Sequence, residues 1–229
     1  MMEKLKLILP YIFVTAVSGN VLAGDGYDYI SGGFQYSSVS NNDNFLPEDS
    51  FSGYYLGGSW NFYDNFFAEI RHEMVSKNSF DLSESMIGLG YYYNIYPELS
   101  IYAMLGGVDY RLTYDLTDDI IPDGAFGELG STNLGITTNN SALAAELGVK
   151  WGVLDKLTIG PAVRVMNYDE VIVDYRLDSA FEVYDGVSIE ANIGYQSMDL
   201  VKTFFDNSKV NQSLDFDELY YQFGVRFSF

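Results

Sequence analysis

The sequence has no cysteine, a single histidine and only five prolines. Without cysteine, no disulfide framework can hold the fold together. Positive charge is scarce: 12 Lys and Arg stand against 32 Asp and Glu, a formal net charge of -20. That balance disfavours nucleic acid and anionic surfaces as direct partners. It suits divalent cations or basic ligands, but acidity alone names neither. Long hydrophobic runs are also missing. After residue 23 nothing resembles the roughly 20 apolar residues that a membrane-spanning helix needs. What the chain does have is 20 Tyr, 16 Phe and 22 Gly, with 48% hydrophobic residues. Hydrophobic content at that level argues against disorder. Abundant aromatics and glycines with few prolines point to an all-β protein.

Residues 1–23 form a secretory signal. Lys4 and Lys6 supply a basic start, "LILPYIFVTAVSG" an apolar centre, and "VLA" a small-residue end before Gly24. The apolar centre is too short for a helical span, and no stop-transfer pattern follows. The chain is therefore expected to be exported, with residues 24–229 as one domain.

From residue 30 onward the sequence alternates. Four short turn-forming segments, "YDN" at 63–65, "YPE" at 96–98, "LDK" at 154–156 and "YDG" at 184–186, each lie between alternating stretches. Leu143, Ala145, Leu147, Val149, Trp151 and Val153 precede the third, for example, and Leu157, Ile159, Val163 and Val165 follow it. Period 2 is the mark of a strand with two unlike faces. Ten strands result, from one carrying Ile30, Phe34 and Tyr36 to the terminal "ELYYQFGVRFSF". Their other connections fall near 39–50, 77–80, 116–139, 167–170 and 199–215. Tight turns on one rim and longer loops on the other are the pattern of a transmembrane antiparallel up-and-down β-barrel. Ten strands fit best, with eight as the alternative. An even number places both termini on the short-turn side.

A soluble sandwich would show the same alternation. Three features favour a membrane. The strands are longer than the usual five or six residues. Aromatics gather beside the tight turns, at Trp60, Phe62, Phe66, Tyr93, Tyr96, Trp151, Phe181, Phe227 and Phe229, as in an interfacial girdle. The chain also ends on a strand, and a closed barrel satisfies every backbone group without an edge.

With its "VLA" signal end, hairpins such as "SMIGLGYYYNIYPELSIYAMLGG" and terminal "YYQFGVRFSF", the chain resembles the small outer-membrane β-barrels of Gram-negative bacteria, the OmpA-type and OmpX/Ail-type barrels. The resemblance is architectural and covers the whole exported chain. It implies an outer-membrane location amid phospholipid and lipopolysaccharide. It also implies that Tyr221, Phe223, Val225, Phe227 and Phe229 form a signal read by the barrel assembly machinery. A structural or surface-interacting role through the extracellular loops follows, with an extracellular ligand held there.

The parity opposite the apolar one carries many glycines and most of the strand charges: Glu69, Arg71, Glu73, Glu146, Lys150, Arg164, Asp174, Arg176, Asp178, Glu182, Glu190, Glu218 and Arg226. Asp109 and Arg111 would join them if a glycine bulge at Gly106-Gly107 shifted the register. Inward charges must be paired or wet. They make either a salt-bridged plug or a narrow pore whose acidic excess prefers cations.

Enzymatic chemistry finds little support. His72 shares the parity of Ile70 and Met74 and should face lipid. "RHEMVS" lacks the His-x-Ser arrangement of lipid A deacylase barrels, and no phospholipase motif is recognisable. The acidic loop with Asp118, Asp119, Asp123 and Glu128 fails the calcium-loop spacing, because Ile121 stands where a ligand is needed. No cofactor or metal is expected. The same loop holds Ile120, Ile121, Phe126 and Leu134, much apolar surface for an exposed segment.

Overall fold

A computed structural model describes residues 26–41, 50–78, 80–115, 135–168, 171–199 and 215–229. Ten strands run in chain order: β1 Tyr29–Asn41, β2 Ser50–Tyr63, β3 Phe66–Lys77, β4 Phe80–Tyr96, β5 Leu99–Asp115, β6 Gly135–Leu154, β7 Leu157–Asn167, β8 Val171–Tyr184, β9 Val187–Asp199 and β10 Asp215–Ser228. Each pairs with its sequence neighbours, and β1 pairs with β10, which closes the barrel. All pairings are antiparallel.

The four tight turns stand where the sequence places them, at Asp64-Asn65, Pro97-Glu98, Asp155-Lys156 and Asp185-Gly186. Gly186 has a φ of 70° and Asp64 one of 46°, the positive values that primed two-residue hairpin turns favour. The opposite rim connects through 42–49, 78–79, 116–134, 168–170 and 200–214. One boundary moves: β6 begins at Gly135, so 135–139 belong to a strand rather than to the long loop. The loop's acidic and apolar residues, and the signal at 1–23, lie outside the described residues.

The apolar parity faces out. Phe34, Leu56, Ile87, Leu89, Leu105, Leu143, Leu147 and Phe223 are all exposed. Around them the girdle residues Trp60, Phe62, Phe66, Tyr93, Tyr96, Trp151, Phe181 and Phe229 stand exposed beside the tight turns. Burial therefore runs opposite to a soluble protein: the oily side chains are outside and the charges inside.

The inward glycines have a steric purpose that parity alone does not reveal. Phe67 lies directly opposite Gly90, Tyr102 opposite Gly148, and Tyr220 opposite Gly194. A Cβ on those glycines would stand 2.2, 2.4 and 2.1 Å from the respective aromatic rings. Each glycine is the slot in which a neighbouring strand's ring lies flat across the inner wall.

Candidate functional site

The candidate site is the lumen, because strand alternation sends every ionisable group of its polar parity there. At the short-turn end sits an aromatic stopper. Tyr27, just ahead of β1, stacks on Tyr92 with ring centroids 4.1 Å apart. It also packs against Phe67 at 4.8 Å and meets Tyr102 edge-on at 6.1 Å. The ammonium of Lys150 lies 3.6 Å from the Tyr27 ring centre and donates a 2.7 Å hydrogen bond to the carbonyl of Gly26.

Beyond the stopper lies the charge network. Glu146 is its hub. Arg71 grips it with two hydrogen bonds, of 2.7 and 2.9 Å. Arg176 donates at 3.1 Å and the Tyr102 hydroxyl at 2.7 Å. Arg71 also pairs with Glu69, and Arg176 with Asp178 at 2.9 Å. Arg226 pairs with Glu190, which accepts a second bond of 2.9 Å from Tyr55. The Arg226 guanidinium lies 4.0 Å from the Tyr29 ring centre. Higher up, Arg164 bridges Glu84 at 2.6 Å and Asp174 at 3.0 Å, and Tyr220 donates to Asp174. Glu218 accepts from Gln196 at 2.6 Å. Glu73 and Glu182 stand on the same inner parity, half-buried.

All thirteen charges assigned inward by parity therefore share the inner wall, and nine of them join three ion-paired groups around Glu146, Glu190 and Arg164. Glu84 belongs to one of these groups and was missed, although it shares the parity of Gly88 and Gly90. The bulge does not occur. Gly106 and Gly107 pair in unbroken register with Gly88 and Ile87, so Asp109 and Arg111 face outward. In their place Val108, Tyr110 and Leu112 face in and join Val75, Phe80, Met166 and Ile172 in an apolar layer towards the loop end. The inner wall is thus not merely polar and small: aromatic and aliphatic layers bracket the charges.

Little space lies among the charges of the described residues. Two voids among the lumen charges measure about 30 and 40 Å³, each the size of about one water. The large hollows, about 880 and 660 Å³, lie on the outer wall. His72 also faces out, its Nδ1 2.9 Å from the hydroxyl of Ser85 on β4. Among the described residues no metal-binding cluster of His, Asp and Glu occurs.

No protein-family model and no curated protein matches the chain. Solved structures do. The outer membrane protease OmpT of Escherichia coli aligns at a TM-score of 0.51 with 9% identity, over 89% of this chain and 98% of that one. The attachment invasion locus protein Ail of Yersinia pestis aligns at 0.40 with 14% identity, over 87% and 97%. The KdgM porin aligns at 0.38 with 12% identity, over 88% and 99%. These are likenesses of fold. A closed ring of strands with its oily side outward requires a bilayer around it, and the chain has the fold of a closed ten-stranded antiparallel transmembrane β-barrel.

Proposed function

We propose that the protein is a sealed, non-enzymatic barrel that acts at the cell surface through its loops, either as a structural element of the envelope or by holding an extracellular ligand. The observation that supports this reading is the ion-pair network across the lumen. Glu146, at 2% exposure, is held by two arginines and a tyrosine, so the charges brace one wall against the other. A carboxylate so engaged is not free to act as a general base. His72, the one histidine, is on the lipid side. The rival reading, a narrow cation-preferring channel, draws support from the acidic excess of the inner wall, where Glu69, Glu73, Glu84, Glu146, Asp174, Asp178, Glu182, Glu190 and Glu218 outnumber the cations. The terminal strand, with Tyr221, Phe223, Val225, Phe227 and Phe229, is on this reading also the assembly signal.

Shortening 42–49, 116–134 and 200–214 to tight turns tests the surface role. The shortened chain should still assemble, since the lumen contacts come from the strands, while adhesion of cells to host-type surfaces or matrix should fall to the level of cells lacking the protein. Undiminished adhesion with the loops removed would sink the loop-mediated reading.

A further inference from the structure

The outer wall carries a polar patch that the lumen does not explain. On four adjacent strands the outward row Ile70, Ile87, Gly107 and Leu143 gives way, two residues nearer the loop rim, to His72, Ser85, Asp109 and Ser141. Two hydrogen bonds of 2.9 Å tie this row together, His72 to Ser85 and Ser141 to Asp109. The next outward residues are Ser83, Arg111 and Asn139, side by side on β4, β5 and β6. The other strands expose tyrosines on the outer wall, Tyr36, Tyr54, Tyr175, Tyr195 and Tyr221, a residue type that anchors at the interface, and Tyr54 borders the patch with its ring centre 5.9 Å from that of His72. Between β3 and β6 this row carries hydrogen-bonding groups instead.

Arg111 is the unusual member. The chain's other arginines, Arg71, Arg164, Arg176 and Arg226, all face the lumen and are ion-paired. Arg111 faces out, exposed, and forms no ion pair among the described residues. A guanidinium there meets the headgroup layer, where a phosphate is its natural bidentate partner. Serine, asparagine and aspartate beside it suit sugar hydroxyls. Asp109 would repel a second phosphate, which puts the phosphate at the level of Arg111 and the sugar on the row beneath.

Below the patch the wall is open. Gly107 leaves a gap between Ile87 and Leu143, and a Cβ there would meet nothing closer than 3.9 Å. Ala145 and Ala103 continue this low track into the outer hollow of about 660 Å³, walled by Leu89, Tyr91, Leu105 and Val163. Inside a bilayer such a hollow fills with acyl chain, because an unfilled gap forfeits dispersion contacts.

We propose that this face binds one phosphorylated glycolipid of the outer leaflet, its phosphate on Arg111, its sugar on Ser85, Asp109, Ser141 and Asn139, and an acyl chain along Gly107 and Ala145. The inference goes beyond the surface reading and depends only on the loop rim pointing outward. A polar head above an apolar track selects an amphiphile over a free ion.

The test uses the full exported chain in nanodiscs of zwitterionic phospholipid, with an acylated glucosamine-disaccharide phosphate added, and native mass spectrometry to count retained glycolipid. One glycolipid should stay with the wild-type barrel. Arg111→Gln should weaken retention about tenfold, the loss of one good charge-assisted contact, and Gly107→Leu should weaken it by filling the track. Both sites are on the outer wall, and an unheated-gel shift checks that both variants fold. Removing the phosphate from the glycolipid should reproduce the Arg111→Gln loss and add nothing to it. Unchanged retention in either folded variant would overturn the proposal. So would equal retention of phosphatidylglycerol, or full displacement of the glycolipid by inorganic phosphate.

Discussion

Glu146→Ala should destabilise the barrel by about 3–5 kcal/mol, the cost of stranding buried charge. Glu146 neutralises Arg71 and Arg176 together, and both guanidiniums are largely buried in the wall-to-wall network. Removing the carboxylate leaves two cations facing each other with only Glu69 and Asp178 to share. Tyr102 loses its acceptor as well, and an unsatisfied buried hydroxyl adds about 1–3 kcal/mol. Glu146→Gln should recover part of the loss, since an amide oxygen still accepts a hydrogen bond but carries no charge. Replacing the whole group, Glu146, Arg71, Arg176, Glu69 and Asp178, with apolar residues of similar volume should recover more, because such residues often equal a buried ion-pair network. Urea unfolding of the refolded barrel in lipid vesicles gives the answer. An alanine variant with the wild-type midpoint would mean that the network is hydrated and slack.

One residue along the strand, the expected effect reverses in kind. Leu147 is 66% exposed and lies between Ala103 and Val163 on the outer wall. Leu147→Arg should block insertion, since an arginine on the lipid face at mid-membrane costs roughly 2–4 kcal/mol. Folding into detergent micelles should suffer less, as a micelle lets the long side chain reach water. Deleting Phe229 in the same assays separates two causes of failure. If the terminal residue is part of an assembly signal, its loss should slow insertion in cells and leave refolding into vesicles unchanged. Normal cellular assembly of Leu147→Arg would refute the assigned outer face, and an unchanged cellular yield without Phe229 would refute the signal.

Alternation made the faces legible in the sequence. Leu147 out and Glu146 in follow from adjacent positions on one strand, and the four tight turns follow from their polar, turn-forming residues. The charge list follows from the same parity. Partnerships do not, because period 2 gives a side but no height and no neighbour across the lumen. That Arg71 from β3 would meet Glu146 from β6 could be seen only after closure. Glu84 was within reach, two steps of parity from Gly88, but "SESMIG" reads as a polar strand end. The inward aromatics were harder. In Tyr91-Tyr92-Tyr93 both faces are apolar, so alternation loses its contrast, and Tyr92 hides as the stopper's base beneath two lipid-facing tyrosines. Gly106-Gly107 misled for a related reason. A glycine pair permits a bulge, but here Gly106 serves to let the backbone of Ile87 pass close by, and the ladder runs straight through. The outward Asp109 and Arg111 look like errors of parity until the headgroup layer is placed beside them.

Single-channel recording tests most directly whether the lumen is sealed. The refolded protein, inserted into a planar bilayer in potassium chloride at neutral pH with insertion verified by protease protection, should give a silent baseline. The stopper around Tyr27 and the braces on Glu146 cross the path, and the voids lined by Tyr29, Glu69, Arg71 and Arg226 measure about 30 and 40 Å³. Steady cation-selective steps would contradict this account and transfer the acidic inner wall from a plug to a pore.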